Sequence, residues 1–293
     1  APRCPSQVMS PLHTRSTLTR ALPNLQAWVR HFSEQDIPVM AHTRRRIAEL
    51  AERDAQGDEG VDAQLIAKQV GEDPLLALRI LSHVSQSSGR ARELRVETIT
   101  EALVLMGISP FFRAFCGLTE LQAVLGEEGP AWDGAMAVLR RGRRAGQFAL
   151  GFSVHRMDPD APMIHQAALL HDFAELLLWV HAPELALEIA RRQQADPQLR
   201  SAQAQKAVLG IELNELQQAL MRAWQLPQLL IRLGDDHQAD APSVRTVLLA
   251  IRVARHSAQD WHNPALPDDI HDIGELLQLA PEPTRRLLMD LDT

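Results

Sequence analysis

The stretch "GVDAQLIAKQVGEDPLLALRILSHV", residues 60–84, constrains the fold most, because side-chain chemistry marks where two helices start and stop. Asp62 stands where an N-cap carboxylate accepts an orphan backbone N–H. Leu65, Ile66 and Val70 then recur on one side of a helix, and Gly71 supplies the stop. Asp73 opens the second helix, and Pro74 takes its first turn, where a missing N–H breaks no bond. The same punctuation returns in "TITEALVLMG", where Thr98 and Glu101 predict a capping box and Gly107 the end. Periodicity predicts further helices over 132–150, 164–181, 184–195, 201–223, 227–234 and 243–259. A proline-rich region, 262–283, then leads into a short last helix near 284–291. No stretch alternates with the period of a strand, tyrosine is absent and aromatics are only 4%, so the expected fold class is all-α.

The formal charge of −7 argues against whole-chain attraction to nucleic acid or an anionic membrane, both of which need a cationic surface. No apolar run reaches the roughly 20 residues of a membrane span, and the N-terminus lacks the apolar core of a secretory signal. The expected compartment is the cytoplasm. Two cysteines, Cys4 and Cys116, make neither a disulfide framework nor a zinc ligand set and read as reduced thiols. No phosphate loop, dinucleotide fingerprint or nucleophile elbow is present, and no cofactor is expected.

The segment "LGEEGPAWDG", 125–134, marks a soft change from compact helices to longer ones suited to a bundle. The expected organisation is an N-terminal extension over 1–33, a helical part over 34–126, a bundle over 127–258 and a helical tail over 259–293. Residues 66–81 resemble a helix-turn-helix in outline. Their second helix, however, opens with Asp73-Pro74 and continues with apolar residues, leaving Arg79 as its one phosphate-reaching group. A recognition helix needs polar or cationic groups facing the bases and backbone, so the segment reads as core.

Five phrases occur in an order that resembles HDOD domains: Ile37-Pro38, "DPLLALRIL" at 73–81, "VETITEALVLMG" at 96–107, "AALLHDF" at 167–173 and "AWQLP" at 223–227. Those are bacterial signalling modules related to the HD and HD-GYP phosphohydrolases, and the likeness covers roughly residues 34–258. It implies an N-terminal helical subdomain packed on an HD-like bundle, acting as a regulatory or output module.

In the HD pattern that the resemblance implies, an upstream His, a His-Asp pair and a later Asp hold a metal that activates water. The pair is present as His171-Asp172. Gly134, which has no donor atom, stands at the place of the upstream His. Its neighbour Asp133 is a poor substitute, since one residue along a helix rotates the side chain by about 100°. Arg255 stands at the place of the later Asp, and a guanidinium repels cations. Leu213 matches a further family His, "DDH" at 235–237 keeps only His237 of a family pair, and Ala174-Glu175 replaces a usual Gly-Lys.

His171 and Asp172 therefore read as a remnant, with Glu175 one turn on as acceptor for the imidazole and Arg255 as a partner for the pair. The candidate cleft comprises His171, Asp172, Glu175, His237 and Arg255, with no metal and no catalytic residue. "RRGRR" at 140–144 and "TRRRIAE" at 43–49 read as solvated faces. In 82–95, Ser85-Gln86 replaces the family's Asn-Ser phrase. Trp132, Trp179 and Trp224 are expected as core anchors. The expected function is a non-catalytic signalling module whose partner is a signalling protein or a small anionic ligand. Its rivals are a metal-dependent phosphohydrolase acting on a nucleotide or cyclic dinucleotide, and a nucleic-acid regulator.

Overall fold

In the computed structural model, which describes residues 17–87, 96–196, 198–238 and 240–292, the caps form as their residue types dictate. Asp62 accepts from Leu65 N at 2.7 Å. Thr98 and Glu101 make both halves of a capping box. Gly107, with φ of +83°, closes the same helix in a conformation open to glycine. Residues 1–16, with Cys4 and His13, and residues 88–95 of the polar loop lie outside the described residues. Among the described residues the one β feature is an isolated bridge between Val39 and Glu120.

The chain divides into two compact units, each discontinuous in sequence: 1–137 with 173–226, and 138–172 with 227–293. The first crossing falls inside the long helix that begins within "LGEEGPAWDG".

The first unit contains α1 (Leu25–Glu34), α2 (Ala41–Ala55), α3 (Ala63–Val70), α4 (Pro74–Ser87), α5 (Ile99–Met106), α6 (Ile108–Phe115) and α7 (Leu121–Leu125). It also takes the first turns of α8 (Pro130–His155), and then α10 (Phe173–His181), α11 (Pro183–Ala195), α12 (Ser201–Leu209) and α13 (Leu213–Ala223). Its polar pivot is Asp73, only 2% exposed. One carboxylate oxygen caps α4 through Leu75 N at 3.0 Å. The other accepts from Met40 N at 3.1 Å and Thr43 Oγ1 at 2.7 Å, fastening the start of α2. A buried acceptor without such donors costs about 1–3 kcal/mol, so the "DP" phrase and the residues after Ile37-Pro38 are physically coupled.

The helix-turn-helix outline is α3 and α4. Leu75, Leu76, Ala77, Leu78, Ile80 and Leu81 are buried. The Arg79 guanidinium bonds the Asp36 carboxylate and, at 2.6 Å, the Ile37 carbonyl. In α2, Ile47 and Leu50 face inward as expected.

The expected N-terminal extension contributes to this unit as well. Trp28 and Phe32 of α1 are buried, and the Trp28 indole donates to the Leu209 carbonyl at 3.3 Å. Trp179 and Trp224 are buried, whereas Trp132 is half-buried. Cys116 follows α6 as its C-terminal cap, and the reading of Cys4 falls outside the described residues.

The second unit contains the rest of α8, α9 (Ala161–Leu170), α14 (Gln228–Leu233), a 3-10 turn (Asp236–Gln238), α15 (Pro242–His256), α16 (Leu266–Leu277) and α17 (Pro281–Leu291). α9 packs on α14 and α15, and buries Met163, Ile164, Ala167, Ala168, Leu169 and Leu170. A helix apolar nearly all round belongs at the centre of its unit.

Three predicted spans change. The helix expected over 164–181 is two, broken at His171-Asp172, where His171 N reaches back only to the Ala168 carbonyl at 3.4 Å. The span 201–223 is cut at Gly210, which adopts a left-handed φ of +74°. The proline-rich 262–283 region holds all of α16, with Pro267 in the first turn, a position that tolerates proline. A carboxylate buried to 1% exposure, Asp269, accepts from Arg252 at 2.7 Å and pairs with His256 at 2.6 Å, tying α16 to α15. Among the described residues no helix is long and apolar enough to cross a membrane.

Candidate functional site

The break between α9 and α10 gives the His-Asp pair its geometry. On a continuous helix, adjacent side chains point about 100° apart. Where the helix stops, the His171 ring folds onto its neighbour, with Nδ1 3.0 Å from Asp172 Oδ1. Its other nitrogen, Nε2, lies 2.9 Å from Asp236 Oδ1, in the 3-10 turn that precedes α15. Both ring nitrogens thus face carboxylates, and an imidazole that donates from both is the imidazolium. Burial opposes that charge, but the hydrogen bonds and field of Asp172 and Asp236 outweigh it, and the His171 pKa is pushed up to about 9.

Asp172 is held from the other side by arginines. Arg141 Nε, on α8, donates to Asp172 Oδ2 at 2.6 Å, with both side chains about 15% exposed. Arg255 Nη2, near the end of α15, lies 3.7 Å from the same oxygen and is half exposed. Burial alone would raise the Asp172 carboxyl. The charges of Arg141, His171 and Arg255 overcome it and hold the group well below the usual carboxylate range. Four segments of the second unit therefore meet at one ionic cluster of three cationic and two acidic side chains.

The structure brings His171, Asp172 and Arg255 together. The acceptor role expected of Glu175 falls to Asp236. Glu175 lies beyond the break on α10, half-buried, so the one-turn spacing that made it a candidate does not hold across residues 171–172. His237 points to solvent beside Asp236, and its backbone N–H donates to Asp235 at 3.1 Å.

Two members of the cluster were missed by the sequence reading. Asp236 stands in the "DDH" phrase noted there for its histidine. Arg141 belongs to "RRGRR", whose reading as a solvated face is corrected at two positions. Arg141 enters the cluster, and Arg144 clamps Asp292 with two hydrogen bonds of 2.6 and 2.8 Å. The available signal was spacing, since Arg141 and Arg144 are three apart and share a helix side.

The position matched to the upstream His belongs to the first unit. A Cβ on Gly134 would lie 2.5 Å from the Trp179 indole, so any larger residue there displaces a buried tryptophan. Among the described residues, one group of possible ligand atoms does converge: His271, Asp272 and Glu275 on α16. Asp272 there bonds Arg252 at 2.5 Å, and Glu275 pairs with Arg245 at 3.2 Å, which makes it an ion-paired helix face.

Comparison with known proteins agrees with this architecture. The MmoQ response regulator from Methylococcus capsulatus superposes with a TM-score of 0.64 at 23% identity, over 86% of this chain and 98% of that one. A virulence factor from Campylobacter jejuni gives 0.63 at 14% identity, over 92% and 98%. Both likenesses show a shared helical fold. A search of curated proteins finds no match. The HDOD domain matches residues 37–239, more than half of the chain, and the chain belongs to the HDOD family.

Proposed function

We infer that this chain is a regulatory HDOD module that performs no hydrolysis, and that its His-Asp pair is a structural ion cluster descended from a metal site. The observation that carries the reading is the saturation of the pair by the protein's own groups. A divalent cation needs lone pairs on neutral imidazole and on carboxylates. Here both His171 nitrogens face carboxylates, and the two Asp172 oxygens face His171, Arg141 and Arg255. The residues present do not fit a divalent ion, since two guanidinium groups crowd the carboxylate that would hold it. Regulation through a protein partner or a small anionic ligand is the activity left to such a scaffold. The half-exposed Arg255 is the group through which an anion would be met. A role in reading nucleic acid finds no support in a buried α4 whose arginine is already bonded.

Elemental analysis of protein purified without chelators tests the reading. The expected result is no stoichiometric transition metal, before or after incubation with manganese, iron or zinc salts. A stoichiometric metal that disappears in His171→Ala would establish the phosphohydrolase alternative instead.

A further inference from the structure

Five large apolar side chains are well exposed among the described residues, and three of them, Leu150, Val154 and Met157, lie close together in sequence, two on the last turns of α8 and one in the turn just beyond. Isolated exposed apolar residues are ordinary; a contiguous set marks an interface. Leu150 and Val154 are one turn apart on α8, and Met157 follows in the turn beyond its end. Gly151, between Leu150 and Val154, is pressed by the Leu291 side chain of α17 so closely that a Cβ would collide with it. The second half of α8 therefore has two apolar faces. Ala145, Phe148, Ala149 and Phe152 are buried in the core of the unit. On the outer face Leu150, Val154 and Met157 are 40%, 64% and 89% exposed.

The outer face has a regular register. Within α8, Arg140, Arg143, Gln147, Leu150 and Val154 follow spacings of 3, 4, 3 and 4, the seam of a paired helix, and Met157 stands in the turn beyond it. Met157 holds a left-handed φ of +54° just past the helix end, a conformation that glycine or asparagine adopts at less cost. A plain turn there gains nothing from an exposed methionine.

The charge along the seam selects the occupant. Its N-terminal end carries Arg140 and Arg143, and the turn beyond its C-terminal end carries Asp158 and Asp160. Antiparallel pairing of two such seams about an axis level with residue 152 sets Leu150 against Val154 of the other copy. The same rotation brings the basic end of each to the acidic turn of its mate. One surface is thus complementary to itself under a two-fold rotation, which is the requirement of an isologous dimer.

We propose that the outer face of α8, from Arg140 to Val154, with Met157 in the turn beyond it, is a homodimer interface in which two copies pair antiparallel. The proposal is independent of the ion cluster and of whether the chain is an enzyme. The apolar set is small, so the dimer is a weak and reversible one.

Sedimentation velocity on the full chain, between ~5 µM and ~500 µM, reads the outcome on a scale where weak association is visible. The wild type is expected to move from monomer to dimer across that range. Val154→Glu and Met157→Glu are expected to stay monomeric with unchanged helicity and melting temperature. Arg140→Glu mixed with Asp160→Arg is expected to associate more than either variant alone. A wild type that remains monomeric throughout overturns the proposal, and so does one that binds anionic vesicles while monomeric. A dimer that survives both glutamate substitutions overturns it too.

Discussion

Two aspartates, Asp73 buried in the first unit and Asp172 largely buried in the second, solve the same problem with different chemistry. Asp73 is satisfied by neutral groups alone, the backbone N–H groups of Met40 and Leu75 and the Thr43 hydroxyl. Asp172 is satisfied by charge, from Arg141, His171 and Arg255. A carboxylate held by neutral donors is a cap that joins helix ends. A carboxylate held by cations binds several segments, but every member depends on the others, because removing one leaves a charge without its counterpart.

The comparison is broken most directly by removing each aspartate in turn. Asp172→Ala leaves the Arg141 guanidinium and the His171 imidazolium short of a counter-charge in a largely buried position, and is expected to cost about 3–5 kcal/mol in urea unfolding. Asp73→Ala leaves neutral donors unsatisfied and removes a cap, with an expected cost of about 2 kcal/mol. Equal losses at the two sites would show that charge adds nothing to the second cluster.

A titration sharpens the same contrast. Because the folded His171 pKa is raised from 6.5 to about 9, its stabilisation is complete below the unfolded value. It is lost as pH rises through the folded one. At about 1.4 kcal/mol per pH unit the wild type is expected to lose about 3 kcal/mol between pH 6 and pH 10 through this group. His171→Gln lacks the titrating ring, so its stability should fall by that much less over the same interval. Parallel curves for the two proteins would remove the imidazolium from the account.

These differences also explain what the sequence could reveal. Asp62, Asp73 and the Thr98–Glu101 box announce themselves, because a cap and its donors lie within a few residues. Gly107 does so because its backbone needs a positive φ. The ion cluster is assembled from residues 141, 171, 172, 236 and 255, so no local spacing connects Arg141 or Asp236 with the pair. The one-turn rule that points to Glu175 assumes a helix running through 171–172, and the helix is interrupted there. α16 was hidden because proline reads as a breaker, although in the first turn of a helix it breaks nothing. Gly134 was identified as lacking a donor, but only the packing shows that Trp179 fills the space.

The smallest effect tests how the work is shared between the two arginines on Asp172. Arg141 makes a hydrogen bond of 2.6 Å from a nearly buried position, whereas Arg255 stands 3.7 Å away with half its side chain in water. A half-exposed ion pair beyond hydrogen-bond distance is screened by solvent and salt, and contributes less than about 1 kcal/mol. Arg255→Ala should therefore leave the melting temperature nearly unchanged, and the little it costs should vanish in concentrated salt. Arg141→Ala should cost several times more and respond weakly to salt, because its partner is shielded from water. If Arg255→Ala proved as damaging as Arg141→Ala, Arg255 would be a structural strut. A strut cannot also be the group that meets an incoming anion, so the functional reading would have to find another contact.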